Sequence, residues 1–364
     1  MKKKIVVVVG TRPNIIKITR LKSVASERGR LDVRIVHTGQ HFSANMADVF
    51  FEQLGVTPDR CLGVAAGSPT RQIAEIMVGL EQVFAEERPD LVLVVGDVNS
   101  TLAAAVTANK VGIPIGHLES GLRSFDRTMP EEHNRVVTDR LTDHYFVTEQ
   151  SGLDNLSAEG AREASIHFVG NTMIDTLVAF DPQIQASTAL EDLGLGAGGH
   201  VLMTLHRPAT VDVPERLAEV FDLVADVSRG RKVVFPLHPR TAKNLVLFGI
   251  DAKARSMAGL VFTEPLDYFS FQKLVAKASF ILTDSGGIQE ESTYRRVPCL
   301  TFRPNTERPV TVELGSNELV PPDMSAVREA IRRIDGGKFK LGGVPPLWDG
   351  HATERVLEVL ERVL

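Results

Sequence analysis

The sequence predicts an α/β protein built from two doubly wound parallel sheets, and three observations lead there. Short β-branched runs alternate with longer segments of helical period, the pattern of a parallel sheet with helices on both faces. The alternation loosens once, through "DPQIQASTALEDLGLGAGGH", and then restarts. At 364 residues the chain is long enough for two cores.

In the first half, "KIVVVV", "VRIVHT", "LVLVVGD", "IPIGHLE", "HYFVTE" and "IHFVG" read as strands, with helical stretches such as "IAEIMVGLEQVFAEE" between them. In the second half the strands are "VLMTLH", "KVVFPLH", "LVFTEP", "FILTDS" and "CLTF". The expected domains are residues 1–172 and 173–350, with the terminal helix within 351–364 completing the first. Ligands of such sheets bind beyond the carboxyl ends of the strands, so two such domains facing each other across a cleft are expected to hold the site there.

The charged fraction of 24% and net charge of −5 argue against a nucleic-acid partner bound by phosphate neutralisation. The opening "MKKKIVVVVG" has the basic start of a signal peptide, but its apolar run ends at Gly10, too short for secretion or a membrane span. Cys61 and Cys299 stand in no metal-ligand or CxxC spacing. A cytoplasmic protein without a structural metal is the expectation.

The candidate site residues stand at strand ends. "GTRPNIIK" gives Gly10 for a tight turn, Pro13 for a first helical position, and Arg12 and Lys17 as cations near the turn. "LVLVVGD" delivers Asp97; "IPIGHLESGLRS" delivers His117 and Glu119; "MPEEHNR" follows with Glu131, Glu132 and Arg135. Any one acid could cap a helix or offset its dipole, but acids at successive strand ends of one sheet edge point to proton chemistry. In the second half, His206 with Arg207 and His238 with Arg240 end two strands.

In "ILTDSGGIQEE", Ser285 can cap a helix while Gly286 and Gly287 let backbone N–H groups approach phosphate oxygens. No Walker lysine follows, so ATP hydrolysis is unsupported. Glu291, one turn past Gly287, is placed to accept two hydrogen bonds from a ribose diol, and Glu290 then points to solvent. Arg308 in "TERP" is either a further site cation or a loop residue paired with Glu307. A GxGxxG match at Gly194, Gly196 and Gly199 precedes a strand and does not join strand to helix, so it reads as linker.

Together, "GTRPNIIK", "GDVNSTLA", "GHLESGLRS", "MPEEHNR", "LHRP", "LTDSGGIQEE" and "TERP" resemble the non-hydrolysing UDP-N-acetylglucosamine 2-epimerases, in that family's order and over nearly the whole chain. The resemblance implies two Rossmann-like domains of the glycosyltransferase B type, a homodimer, no metal, no bound NAD, and UDP held mainly by the second domain. It implies interconversion of UDP-GlcNAc and UDP-ManNAc. Carried onto matching positions, Arg12, His206, Ser285, Gly286, Gly287, Glu291 and Arg308 hold the nucleotide, with Phe271 near the uracil. Asp97, Glu119 and Glu131 are the acid–base groups, with Lys17 and Arg135 beside them, and His206 joins the catalytic set by stabilising the departing diphosphate.

The hydrogen on sugar carbon 2 has no adjacent carbonyl to acidify it. Breaking the bond between carbon 1 and UDP builds oxocarbenium charge that does so, giving a glycal to which UDP is added back. Inversion requires proton handling on two faces, hence at least two acid–base groups. Four departures from the family are visible: Asn14 replaces a frequent glutamate, "GQHFSAN" a common "QHREM", "HRPATVD" a common "HRREN", and Leu266 a frequent glutamine. The second and third fall in segments that, in some family members, bind UDP-GlcNAc as an activator. Classical activation is therefore not expected, although Gln40 and His41 persist. The variants also resemble a branch acting on modified sugars such as diacetamido uronic acid nucleotides. Other readings are a hydrolysing relative releasing free ManNAc and a glycosyltransferase of the same fold.

Overall fold

The computed structural model describes residues 2–40, 51–65, 67–196, 199–321 and 323–364. The chain divides into two compact units, Met1–Ala179 with Pro346–Leu364, and Phe180–Pro345.

The first unit carries strands β1 (Lys3–Val9), β2 (Leu31–His37), β3 (Arg60–Cys61), β4 (Leu91–Val95), β5 (Ile115–Ser120), β6 (His144–Val147) and β7 (Ile166–Phe168). They form one parallel sheet in the order β3-β2-β1-β4-β5-β6-β7. From Ile5 onward β1 is buried on both faces, which is why it reads as an unbroken apolar run. Val6, Val8, Val92 and Val94 pack on one face against Ile76 and Leu80 of the helix Pro69–Glu87 and the alanines of the helix Asn99–Lys110. The small alanine side chains let that helix lie close to the sheet.

The second unit carries β8 (His200–Thr204), β9 (Val233–Pro236), β10 (Leu260–Thr263), β11 (Ala278–Thr283), β12 (Cys299–Phe302) and β13 (Asn317–Val320). These form a parallel sheet in the order β10-β9-β8-β11-β12-β13. Its two faces follow the two-residue period of a strand: Val201 and Met203 join one cluster with Phe221, Phe235 and Leu282, while Leu202 joins the other with Val234, Ile281 and Cys299. The strands β3 and β13 have no counterpart in the sequence reading. Arg60–Cys61 is too short to show a pattern, and the "NELV" of β13 is half polar because Asn317 bonds inward to Thr301 (2.7 Å) and Gln289 (3.0 Å).

In both sheets the strand order reverses once, between β1 and β4 and between β8 and β11. Chain connections diverge at such a switch point and leave a crevice at the carboxyl ends of its two strands.

The helix Thr172–Ala179, beyond the boundary expected at residue 172, packs in the first unit, where Thr176 Oγ1 donates to the Ile16 carbonyl at 2.6 Å. The C-terminal helix Ala352–Val363 also belongs there. Asp175 accepts from its Ala352 and Thr353 N–H groups at 3.1 and 2.6 Å, satisfying two donors the helix cannot pair itself. Arg28 bonds Glu361 at 2.8 Å, and the fully buried Trp348 donates to the Thr148 carbonyl at 3.0 Å. Gly170, at φ +86°, is obligatory: a Cβ there would lie 2.1 Å from the Leu347 carbonyl oxygen. No helix among the described residues is long and apolar enough to cross a membrane, and no group of three or more His, Cys, Asp or Glu among them could hold a metal.

Candidate active site

At the first switch point, Gly10 ends the segment after β1 and a Cβ on it would lie 2.0 Å from Ser100 Oγ. Glycine is therefore required for room. The Asn14 side chain closes the following turn, with Oδ1 accepting from Gly10 N–H, Thr11 N–H and Thr11 Oγ1 at 3.3, 3.2 and 3.0 Å. Arg12 is half-buried at the start of the helix Arg12–Ile18, and burial lowers its guanidinium pKa.

Glu119, near the end of β5, holds φ +72°, where a side chain with a Cβ is strained. The β5–β6 register shifts between Leu118 and Ser120, so this residue forms an irregularity that re-aims its side chain. Its carboxylate is buried in an ion pair with Lys17. Gly96 stands against the same group, with its pro-Cβ position 3.2 Å from Asn14 Nδ2, 3.4 Å from Glu119 Oε2 and 3.6 Å from Lys17 Nζ.

The next residue, Asp97, keeps a 24% exposed side chain and pairs with Arg135. Arg135 also bonds Glu132 at 3.0 Å. Glu132 does not simply offset the helix dipole: it is buried and accepts from Ser124 N–H, Ser124 Oγ and Phe125 N–H at 2.8, 2.9 and 3.0 Å, fixing the loop before the helix Pro130–Leu141. Glu131 is exposed on the first turn of that helix, and no hydrogen bond or ion pair joins it to Asp97 or Glu119. The structure thus brings Lys17, Asp97, Glu119 and Arg135 to one sheet edge and leaves Glu131 on the solvent side of its helix.

His117 is fully buried between Asp139 Oδ1, 2.6 Å from Nδ1, and the Gly96 carbonyl, 2.8 Å from Nε2. Burial works against ionising Asp139, yet His117 and Arg123 hold its carboxyl below the usual range.

At the second switch point, Asp284 follows β11 and is fully buried. Its carboxylate accepts from the His206 and Arg207 N–H groups at 3.1 and 2.9 Å and lies 3.0 Å from His206 Nδ1. Burial opposes its charge, but these bonds hold its pKa below the ordinary value. Asp284 therefore orients the imidazole of His206, whose side chain is 40% exposed. His238 and Arg240 serve the scaffold: His238 Nδ1 accepts from Arg240 N–H at 3.2 Å at the start of the helix Pro239–Leu247, and Arg240 bonds Asp212 at 2.8 Å.

Ser285 N–H donates to Thr283 Oγ1 at 2.9 Å, and Gly286 caps the helix Gly287–Arg295. Gly286 sits at φ −74° and ψ −49°, a conformation open to any residue, so its glycine is needed for space. A Cβ there would lie 2.8 Å from Glu307 Oε1 and 3.0 Å from Arg308 Nη1. Arg308 lies against the turn, paired with Glu307 and, at 2.7 Å through Nε, with Glu290. Gln289 ties the assembly together: Nε2 donates to the Ser285 carbonyl at 3.1 Å, and Oε1 accepts from Thr306 Oγ1 at 2.8 Å.

The expectation that Glu290 is solvated is corrected: both Glu290 and Glu291 are buried. Residues 288–293 are all buried, so this helix has no solvent face to receive either acid. Burial pushes the Glu291 carboxyl up to about 7, the neighbouring Glu290 adding to the rise and Gln272 and Arg295 opposing it. Phe271 and Leu266, both half-buried, pack against the cluster around Leu274. His41 and the rest of the 41–50 segment lie outside the described residues; Gln40 Oε1 accepts from Ser100 Oγ at 2.7 Å.

A family model described as UDP-N-acetylglucosamine 2-epimerase matches residues 24–361. The chain belongs to the UDP-N-acetylglucosamine 2-epimerase family. The epimerase of Methanocaldococcus jannaschii is 37% identical over 369 residues, covering 98% of each chain. The UDP-2,3-diacetamido-2,3-dideoxy-D-glucuronate 2-epimerase of Pseudomonas aeruginosa is 36% identical, covering 99% of this chain and 100% of its own. The crystal structure of the M. jannaschii epimerase in complex with UDP-GlcNAc and UDP superposes with a TM-score of 0.90, at 36% identity and 99% coverage of each chain. A glycosyltransferase structure from Rickettsia africae, at 10% identity and a TM-score of 0.53, shares the fold alone. Membership of the epimerase family makes the chain an isomerase with two Rossmann-like sheets.

The sequence reading assigned no role to Asp284, Gln289 or Asn134. Asp284 carried a signal, since it directly precedes the Ser285-Gly286 turn at a strand end. Asn134 carried none, because its partner Asp97 is distant in sequence, and Gln289 carried none for its bonds to the distant Thr306 and Asn317.

Proposed function

We propose that the protein is a non-hydrolysing 2-epimerase that interconverts UDP-GlcNAc and UDP-ManNAc. The supporting observation is a division of chemistry between two switch points. In the second unit, His206, Arg308 and the Ser285-Gly286-Gly287 turn suit a diphosphate, while in the first, Asp97 and Glu119 each face a cation and suit proton transfer.

In the forward reaction the bond between C1 and the β-phosphate oxygen breaks, its electron pair leaving with UDP. Positive charge at C1 acidifies the C2 hydrogen, a carboxylate takes that proton, and the C–H electrons form the C1=C2 bond of a glycal. UDP then attacks C1 while a second acid returns a proton to the opposite face of C2. One proton leaves and one arrives, and UDP is conserved. Asp97 and Glu119 are the acid–base groups of the sheet edge in this scheme, and Glu131, exposed on the first turn of the helix Pro130–Leu141, is the third candidate. Lys17 balances the buried Glu119 carboxylate, and Arg135 the partly exposed Asp97 carboxylate. Arg12, His206, Arg308 and the N–H groups at the start of the helix Gly287–Arg295 stabilise charge growing on the diphosphate. Glu291 accepts from the ribose hydroxyls, and Phe271 lies beside the uracil.

A second reading, epimerisation of a 2,3-diacetamido uronic acid nucleotide, is favoured by the P. aeruginosa relative, similar over its full length. The chemistry at C1 and C2 is the same for both sugars.

The protein is incubated with UDP-GlcNAc, and separately with the diacetamido nucleotide, in D₂O and followed by NMR. Deuterium at C2 of both epimers with UDP-sugar conserved is expected. Accumulation of free ManNAc and UDP instead means hydrolysis, and no exchange into UDP-GlcNAc overturns this substrate.

A further inference from the structure

Three consecutive carbonyls in the turn that carries Asp97 are each taken by side chains from other elements. The Val95 carbonyl accepts from Asn14 Nδ2 at 3.1 Å and from Thr101 Oγ1 at 2.6 Å. The Gly96 carbonyl lies 2.8 Å from His117 Nε2. The Asp97 carbonyl accepts from Asn134 Nδ2 at 2.9 Å. The Gly96 N–H is also held, donating to the Leu118 carbonyl at 3.0 Å.

Val95 and Gly96 are buried and Asp97 is partly so, and buried carbonyls need protein partners; here those partners are side chains and not backbone groups. The donors Asn14, His117 and Asn134 come from the helix Arg12–Ile18, from β5 and from the helix Pro130–Leu141, and all three side chains are buried; the fourth, Thr101, belongs to the helix Asn99–Lys110 that follows the turn. Asn14 and His117 are themselves fixed. Asn14 is anchored through Oδ1 to Gly10 and Thr11, and His117 through Nδ1 to Asp139, itself 2.7 Å from Arg123. A carbonyl can only accept, so His117 Nε2 carries hydrogen. The backbone of Asp97 is thus set from three directions, while its carboxylate is set by Arg135.

We propose that Asn14, His117 and Asn134 are positioning residues that clamp the Val95–Asp97 turn and so fix where the Asp97 carboxylate meets C2 of the sugar. This rests on the reading of Asp97 as an acid–base group. Proton transfer falls steeply with misplacement of the accepting atom, whereas nucleotide binding by the second unit's residues does not depend on this turn.

Asn134 gives the cleanest test, because Asn134→Asp keeps the shape and removes the donor. Asn134→Ala and Asn134→Asp are compared with the unaltered protein for UDP affinity by calorimetry, for kcat in both directions, and for the isotope effect with substrates deuterated at C2. The expected result is a loss in kcat of about 10- to 100-fold and UDP affinity within about twofold. The C2 isotope effect should rise in one direction more than the other, since Asp97 serves one face. His117→Gln, which can still donate to the Gly96 carbonyl, should retain more activity than His117→Leu. An unchanged kcat in soluble, folded Asn134 variants, or parallel losses of kcat and UDP affinity with no isotope-effect change, overturns the clamp. If the unaltered protein exchanges no C2 hydrogen, the reading of Asp97 itself fails, a separate outcome.

Discussion

Lys17 and Glu119 form an ion pair buried at the carboxyl end of the first sheet, and the glutamate in it occupies a left-handed backbone conformation. Removing one partner of such a pair leaves a charge with neither water nor counter-ion, a change that costs about 3–5 kcal/mol. Lys17→Met is therefore expected to destabilise the protein by an amount of that order in urea unfolding. Lys17→Met with Glu119→Gln should regain most of the stability and none of the turnover. Glu119→Gln alone should bind UDP as before while losing most turnover, because it alters proton chemistry with little change in shape. Equal loss of UDP affinity would show that Glu119 serves binding.

The backbone of Glu119 allows a separate test. At φ +72° alanine keeps the strain and glycine relieves it, while both delete the carboxylate. Glu119→Gly is expected to be more stable than Glu119→Ala by about 1 kcal/mol, with both inactive. Equal melting temperatures would mean that the turn relaxes once the carboxylate is gone.

These residues also show how much of the site was legible. Asp97, Glu119, His206 and Ser285 follow apolar runs that can only be strands, so their place at strand ends was readable from local pattern. The clamp on Asp97 was not, because Asn134 and Asp97 meet only through the packing of separate elements. Glu290 was misplaced for a related reason. A helical spacing argument assigns one face to solvent, and the helix Gly287–Arg295 has burial on consecutive residues and an arginine, Arg308, arriving from a distant loop. Strand β13 carries no apolar pattern because one of its two buried residues, Asn317, is polar and satisfied by a network no single segment encodes.

Gly286→Ala probes the nucleotide turn. The added methyl would meet Glu307 Oε1 at 2.8 Å and Arg308 Nη1 at 3.0 Å, side chains already locked in an ion pair. The Glu307 carboxylate must shift to make room, and the arginine ion-paired with it moves too, a strain of about 1–3 kcal/mol. A UDP dissociation constant raised at least about tenfold, with unchanged far-ultraviolet circular dichroism, is expected from calorimetry. Undiminished UDP affinity would remove Arg308 and this turn from the diphosphate site.

Glu291 couples stability and binding to pH in opposite senses. Its carboxyl titrates at about 7 in the folded protein against an ordinary value of 4.5, because burial disfavours the charge. A folded pKa above the unfolded one contributes stability that is fully present below about pH 4.5 and is lost as pH rises through about 7. The loss amounts to about 3 kcal/mol at the upper end. Glu291→Gln removes this titration, so the variant's thermal stability should overtake that of the unaltered protein progressively from about pH 4.5 to about 7, keep that advantage above it, and match it most closely in acid. The ribose hydroxyls, in contrast, are best accepted by the ionised carboxylate, so UDP binding should tighten as pH rises through about 7. Binding should also release protons there, seen as a dependence of the calorimetric enthalpy on buffer ionisation heat. Because UDP titrates in a nearby range, the decisive quantity is the difference between the two proteins at each pH. A difference that does not vary with pH would show that Glu291 does not meet the nucleotide in its charged form.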